Sequence, residues 1–231
     1  MTELKLGWCS REAAAYAVMH WHYSKRMPAA ILAKIGVWEN GQFVGAVMFG
    51  TGANSGLLRP YGLSQTEGCE LVRVALRKHE SPVTRILAQS IAMLRARYPK
   101  LRLIVSFADP EQGHIGTIYQ AGNWYYSGCS DAADEYLING KRWHGRTVAD
   151  KKPAHLTTKQ FATMLDPNVQ VAKGSSKHRY LYPLDRKMRK QIESLSKPYP
   201  KRVFCGGSVE SDTSVDQTEE AGATPAPRPR E

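Results

Sequence analysis

The sequence predicts an α/β fold, a mixed sheet with helices against it, and three observations carry that expectation. Asn40-Gly41 separates two apolar runs, residues 34–39 and 42–49, as the two-residue type I′ turn of a β-hairpin does. Residues 83–98 place Ile86, Leu87, Ile91 and Leu94 on one helical face. The run Leu101-Arg102-Leu103-Ile104-Val105-Ser106-Phe107 is mostly apolar, the pattern of a buried strand.

Taken from the N-terminus, residues 4–8 read as a short strand and Ser10 as the N-cap of a helix through Val18. Pro28 breaks the chain before the hairpin, and a glycine-rich loop over residues 50–62 follows it. Residues 69–77 alternate in part and read as the next strand. The turn Lys78-His79-Glu80-Ser81-Pro82 then leads into the helix at Val83. After the buried strand, Ala108-Asp109-Pro110 forms a loop and residues 116–121 a short helix. Trp124-Tyr125-Tyr126 is a strand, and Asn139-Gly140 turns a second hairpin over residues 136–143. This order describes a mixed-sheet domain with helices on the sheet. Residues 1–150 form its core, and residues 151–205 a basic C-terminal extension packed on or beside it. Residues 206–231 make an acidic, proline-rich tail with almost no large apolar side chain, which is expected to be disordered.

Charge narrows the function. The chain carries +11, yet from Ser208 onward six acidic residues face two arginines, a net of −4, which leaves +15 on residues 1–207. Solubility alone asks for a magnitude of roughly 2–8. A body this basic points to a polyanion such as nucleic acid. The candidate contacts are Lys25 and Arg26, Arg59 with Tyr61, Lys141, Arg142 and Arg146 around Trp143, Lys151-Lys152, and Lys177 with Arg179. Basic residues interleaved with aromatics suit phosphate contacts together with stacking on an exposed base. The longest apolar run, residues 43–49, is too short for a membrane span, and the first residues lack a signal-peptide layout. A soluble protein of the host-cell cytoplasm is expected. Cys9, Cys69, Cys129 and Cys205 are scattered, without a Cys-x-x-Cys pair, and read as free thiols.

Two clusters carry candidate chemistry. Asp109 and His114 fall just past the carboxyl end of the buried strand, where open α/β sheets place ligands. Asp109 reads equally as a turn former before Pro110 and as a carboxylate that orients or deprotonates an amine. The second cluster is His20-Trp21-His22-Tyr23. On a strand His20 and His22 share a face, and with Asp109 or His114 they make a two-histidine, one-carboxylate set for non-haem Fe(II) or another divalent metal. Packing or nucleic-acid contact is the plainer reading of the same histidines.

The run from Ser106 to Trp124, the segment His20-Trp21-His22-Tyr23-Ser24-Lys25-Arg26 and the strand Cys69-Glu70-Leu71-Val72-Arg73 together resemble the Mom family. That resemblance implies the fold of the GCN5-related N-acetyltransferases, with which the element order is compatible. It also implies modification of N6 of adenine in phage DNA by a small carbamoyl-methyl or methylcarbamoyl group, which evades host restriction. The partner would be double-stranded DNA with the adenine flipped out; a dimer is among the assemblies left open. Candidates for chemistry are Asp109, Tyr119, His22, Tyr23 and Ser106, with Tyr119 carried over as the acid that protonates a departing thiolate. Tyr119 also reads as an aromatic packed on the sheet. The implied cofactor is acetyl-CoA or a related acyl-CoA, at Val74, Arg77, Ser81, Thr84 and Arg85, where amides at a helix start suit a pyrophosphate. The class carries Arg/Gln-x-x-Gly-x-Gly/Ala here, whereas residues 78–83 contain no glycine and Glu80 would repel phosphate. Among rivals, a DNA adenine methyltransferase lacks its glycine motif and the Pro-aromatic end of its catalytic loop. A zinc deaminase lacks His-x-Glu with Pro-Cys-x-x-Cys. A non-catalytic DNA-binding protein needs charge alone.

Overall fold

A computed structural model describes residues 2–52 and 56–201, so the tail expected from residue 206 lies outside the described residues. Strand β1 (Leu4–Trp8) pairs antiparallel with β2 (Ile31–Glu39), and β2 with β3 (Gln42–Gly50). Helix α1 (Arg11–Trp21) joins the first two and starts at Ser10, whose hydroxyl accepts from the Ala13 amide at 3.2 Å. Asn40 and Gly41 hold positive φ, 49° and 78°, as the type I′ turn requires. Strand β4 (Gly68–Leu76) lies antiparallel to β3. Helix α2 (Val83–Arg97) then crosses to β5 (Leu103–Ala108), which runs parallel to β4. A 3-10 turn over Pro110–Gln112 and the short helix α3 (Thr117–Ala121) lead to β6 (Tyr125–Cys129).

The chain next builds a smaller sheet of β7 (Asp134–Ile138), β8 (Lys141–His144) and β9 (Gln170–Lys173), with α4 (Gly145–Lys151) and α5 (Thr158–Leu165) between the last two. Its apolar centre is Tyr136, Ile138, Val148 and Ala162. The excursion leaves at Ser130 and closes where the Ser130 amide donates to the Lys177 carbonyl at 2.8 Å. Strand β10 (His178–Pro183) then enters the main sheet between β5 and β6, and α6 (Arg186–Glu193) follows. The large sheet thus has the order β1-β2-β3-β4-β5-β10-β6. The segment expected to pack on or beside the core therefore supplies an interior strand. Tyr180 and Leu181 are adjacent and both fully buried, because helices cover both faces there, so no two-residue alternation advertised the strand.

Helices sort by face. Ile86, Leu87, Ile91 and Leu94 of α2 meet Ile35, Val47, Phe49 and Ile104 on one side, where α3 also lies. On the other, Ala13, Ala14, Ala17 and Val18 of α1 pack on Trp38, Ala46, Met48 and Ala75, and Met188 and Ile192 of α6 on Leu103, Val105 and Leu181.

The single parallel pair is short. Strands β4 and β5 are paired only from Gly68 with Leu103 to Leu71 with Ser106, although β4 stays on β3 as far as Leu76. Opposite β4, Phe49 pairs with Leu71 and Met48 with Arg73, so Val72 is an extra residue, a bulge that bends the strand. Beyond it the two strands part and the sheet opens. Gly116, at the mouth of that opening, has φ +81°, and a Cβ there would fall 2.3 Å from the Tyr180 ring. Gly116→Ala is expected to cost about 2 kcal/mol through backbone strain and overpacking. A urea titration checks this; an unchanged midpoint would show that the loop relaxes freely.

Candidate active site

Two cavities lie at the opening, of about 550 Å³ and about 630 Å³. They share the wall formed by Tyr23, Leu71, Val72, Arg73, Phe107 and Asp109. The first reaches back past Trp21, Val74 and Val83 toward Tyr119; the second runs out under the small sheet, past His144, Arg146, Lys177 and Arg179.

Ser106 and Tyr119 stand where the strands part. Ser106 Oγ lies 2.9 Å from the Leu71 carbonyl and 2.8 Å from the Tyr119 hydroxyl. The Ser106 hydroxyl donates toward both, so its one proton is shared between the Leu71 carbonyl and the Tyr119 oxygen. Burial pushes the Tyr119 hydroxyl up to about 12, which keeps it protonated. Tyr119 also packs against Trp124 and Tyr180 at centroid distances of 5.1 Å. Tyr119 lines the first cavity and belongs to the core cluster on that face of the sheet.

The proposed metal set does not assemble. His20 lies on helix α1, not on a strand, and its Nδ1–H donates to the Tyr16 carbonyl at 2.8 Å while the ring stacks on Tyr16. His22 is the residue that ends the helix and turns elsewhere. Asp109 already binds the Glu111 amide at 3.1 Å and Lys177 at 2.9 Å. Among the described residues no three His, Cys, Asp or Glu side chains are grouped to hold a metal, which corrects the expectation for His20, His22, Asp109 and His114.

His22 has a different role in the geometry. Its Nδ1 accepts from the Ser24 amide at 3.1 Å and lies 2.9 Å from the Ser24 hydroxyl, so the neutral ring carries its proton on Nε2. Burial first, then the charges of Arg73, His114 and Lys25, hold its pKa at about 4. Tyr23 stacks on it at 4.3 Å and remains about half exposed at the shared wall, with His114 at 5.6 Å. Asp109 proves to be turn former and wall residue together: it caps the 3-10 turn and lines both cavities.

Arg73 was not among the residues singled out from sequence. It follows the Val72 bulge, lines both cavities, and donates to the carbonyls of Val72 at 2.6 Å and Arg26 at 3.3 Å. Burial lowers its pKa, although Tyr23 and Glu70 oppose that shift. The signal was available, since Arg73 is a lone charge inside Leu71-Val72-Arg73-Val74-Ala75.

The residues expected to hold acyl-CoA are only partly free to do so. Val74 lines the first cavity. Arg77 donates to Gln42 at 2.8 Å and lies over the Trp21 ring. Thr84 and the exposed Arg85 sit on the first turn of α2, but Ser81 is buried and its amide is taken. The Ser81 and Glu80 amides donate to the two oxygens of Glu39, at 2.7 Å and 2.9 Å. Glu39 is 7% exposed. Burial opposes its charge, but the donors of Ser81 and Glu80 outweigh it and hold the carboxyl below its ordinary range. The loop does not fit a diphosphate.

Of the candidate nucleic-acid contacts, Arg146 is exposed on the second cavity. Arg59 is exposed on a 3-10 turn whose Pro60 lines the same cavity. Lys141 is exposed on β8, whereas Arg142 is tied to Glu135 and to Glu111. Lys25 donates to the His20 carbonyl at 2.8 Å, and Arg26 is exposed beside Arg73. No helix of the described residues is long and apolar enough to cross a membrane.

A mixed α/β sheet that opens beside its parallel pair, with cavities at the strand ends, defines an α/β protein with a ligand cleft. Residues 3–201 match the family model of the Mom protein family, and the chain belongs to that family. It is 26% identical over 214 residues to "Methylcarbamoylase mom" of Escherichia phage Mu, covering 85% of this chain and 87% of the relative. A solved structure from Acinetobacter baylyi, assigned as an acetyltransferase, superposes with a TM-score of 0.44 at 14% identity, over 80% of this chain and 94% of that one.

The low pKa of His22 makes stability depend on pH. Between about 4 and the ordinary value of 6.5 the unfolded imidazole binds a proton that the folded one does not. Stability is therefore full above that window and falls as the pH drops through it. The urea midpoint should fall from pH 7 to pH 5, and less steeply in His22→Gln. Equal slopes in the two proteins would remove His22 as the cause.

Proposed function

We propose that this protein transfers a methylcarbamoyl-type group to N6 of adenine in DNA, and so shields phage DNA from restriction in the host cytoplasm. The observation that carries this reading is the pair of cavities meeting at Tyr23, Arg73 and Asp109. A two-substrate transfer needs such a meeting point, with the donor entering from one side and the nucleophile from the other. Membership of the Mom family and likeness to a methylcarbamoylase support the group transferred. The basic body and the cations Arg146, Lys177 and Arg179 on the second cavity support DNA as the acceptor.

On this reading the DNA strand follows the second cavity, and the target adenine leaves the stack to reach the shared wall. Tyr23 offers its ring as a platform; Asp109, steadied by Lys177, accepts from the exocyclic amine. Attack forms the N6–C bond at the carbonyl carbon, N6 gives up a proton, and the bond from that carbon to the donor's leaving group breaks. Arg73 and the His22 Nε2–H are the donors placed to hold the oxygen that gathers charge. Tyr119 stays protonated below about pH 12 and steadies the wall through Ser106.

Mass spectrometry of nucleosides from plasmid DNA, purified from cells expressing the full chain, tests the reading. An adenosine heavier by a methylcarbamoyl group is expected. A methyl mass would instead identify a methyltransferase, and no shifted nucleoside would leave a DNA-binding protein. Asp109→Asn and Tyr23→Ala should each reduce the modified adenosine by about 100-fold or more, with DNA binding kept. Joint loss of binding and modification in Asp109→Asn would make Asp109 structural.

A further inference from the structure

The start of helix α2 carries information about the donor. The turn over residues 78–82, which leads into this 15-residue helix, is where backbone amides beside a helix start would receive an anion. Two of those amides already hold an anion that belongs to the chain. Glu39, the last residue of β2, turns its two oxygens to the amides of Glu80 and Ser81, and Pro82, the next residue, has no N–H to offer. The carboxylate is buried, so a ligand phosphate would have to displace it rather than join it. Glu80 adds a second carboxylate to the same turn, where it accepts from the Thr2 hydroxyl. Arg77, the cation next to the turn, is held toward Gln42 and Trp21. An incoming diphosphate would meet two negative charges, and two amides of the turn, those of Glu80 and Ser81, are occupied.

We infer that the transferred group arrives on a compact donor without a nucleotide diphosphate, and that Glu39 takes the place that a diphosphate holds in acyl-CoA-dependent enzymes. This rests on the proposed transfer reaction and narrows its donor. The first cavity, about 550 Å³, suits a small molecule with a carboxamide or carboxylate facing Arg73. Its other walls near Trp21, Val74 and Val83 are apolar apart from His79, and neither a lysine nor a second arginine lines it to hold a phosphate chain. The bonds made and broken are those of the proposed transfer, with the leaving group departing as a small molecule.

Two measurements on the full chain decide the matter. In the first, coenzyme A is titrated into the protein by calorimetry. No saturable heat is expected, and saturable micromolar binding would overturn the inference. In the second, protein and unmodified DNA are incubated with the small-molecule fraction of a host extract, either untreated or digested with nucleotide pyrophosphatase. Modification should survive digestion and should not be inhibited by desulfo-coenzyme A. Loss on digestion, or competitive inhibition, would overturn it. If the untreated fraction yields no modified adenosine, the transfer reading itself fails, and the calorimetric result still decides whether the cradle is closed.

Discussion

The arrangement of this protein depends on one local event, the separation of β4 from β5 after Leu71 and Ser106. Parallel strands in the middle of a sheet ordinarily continue side by side, because each unpaired backbone group left in the interior is costly. Here the Val72 bulge bends β4 away, and Ser106 answers the loss by giving its hydroxyl proton to the Leu71 carbonyl. The same hydroxyl also donates to the Tyr119 oxygen, which ties α3 to the split. One buried hydroxyl thus links the two strands to the helix on that face, and the cavities follow from the gap that remains.

What surrounds the gap is set by what each element can satisfy on its own. Helix α1 ends at His22 because Ser24 turns back to serve the ring, which leaves Tyr23 projecting at the shared wall. The loop after β5 is shaped by Asp109, whose oxygens bind the Glu111 amide and Lys177, so that the charge at the wall is fixed before any substrate arrives. Glu39 binds the turn before α2, at the amides of Glu80 and Ser81. The interaction that fixes this turn also occupies two of its amides, a case of structure and ligand competing for one set of donors.

The small sheet gives the molecule its second cavity. It is an excursion between β6 and β10, pinned at its root by Ser130 and Lys177 and centred on four apolar residues of its own. Its polar side, with Glu135, His144 and Arg146, becomes a wall opposite Arg73 and Asp109. Lys177 therefore serves both parts, closing the excursion through its carbonyl and holding Asp109 through its amine.

Much of this was legible in the residues. Asn40-Gly41 and Asn139-Gly140 specify their turns because only such residues accept two successive positive φ angles cheaply. Ser10 and the apolar face of α2 set their helices by local chemistry, and the candidate residues Asp109, Tyr119, His22, Tyr23 and Ser106 do line or buttress one opening. Local signals failed where partners lie far apart along the chain. Strand β10 is buried on both faces and so shows no alternation, and it was masked by its basic neighbours. The histidines were grouped as if on a strand, although the helix sends His20 back onto Tyr16. Glu39 looked like the flank of a turn, and its bond to residues 80 and 81 spans more than forty positions. The sequence by itself determined the turns, the caps and the class of fold, because those depend on neighbours a few residues away. Only the tertiary structure decided that Arg73 faces both cavities and that Glu39 binds the amides of Glu80 and Ser81, because each depends on which strands and loops meet in space.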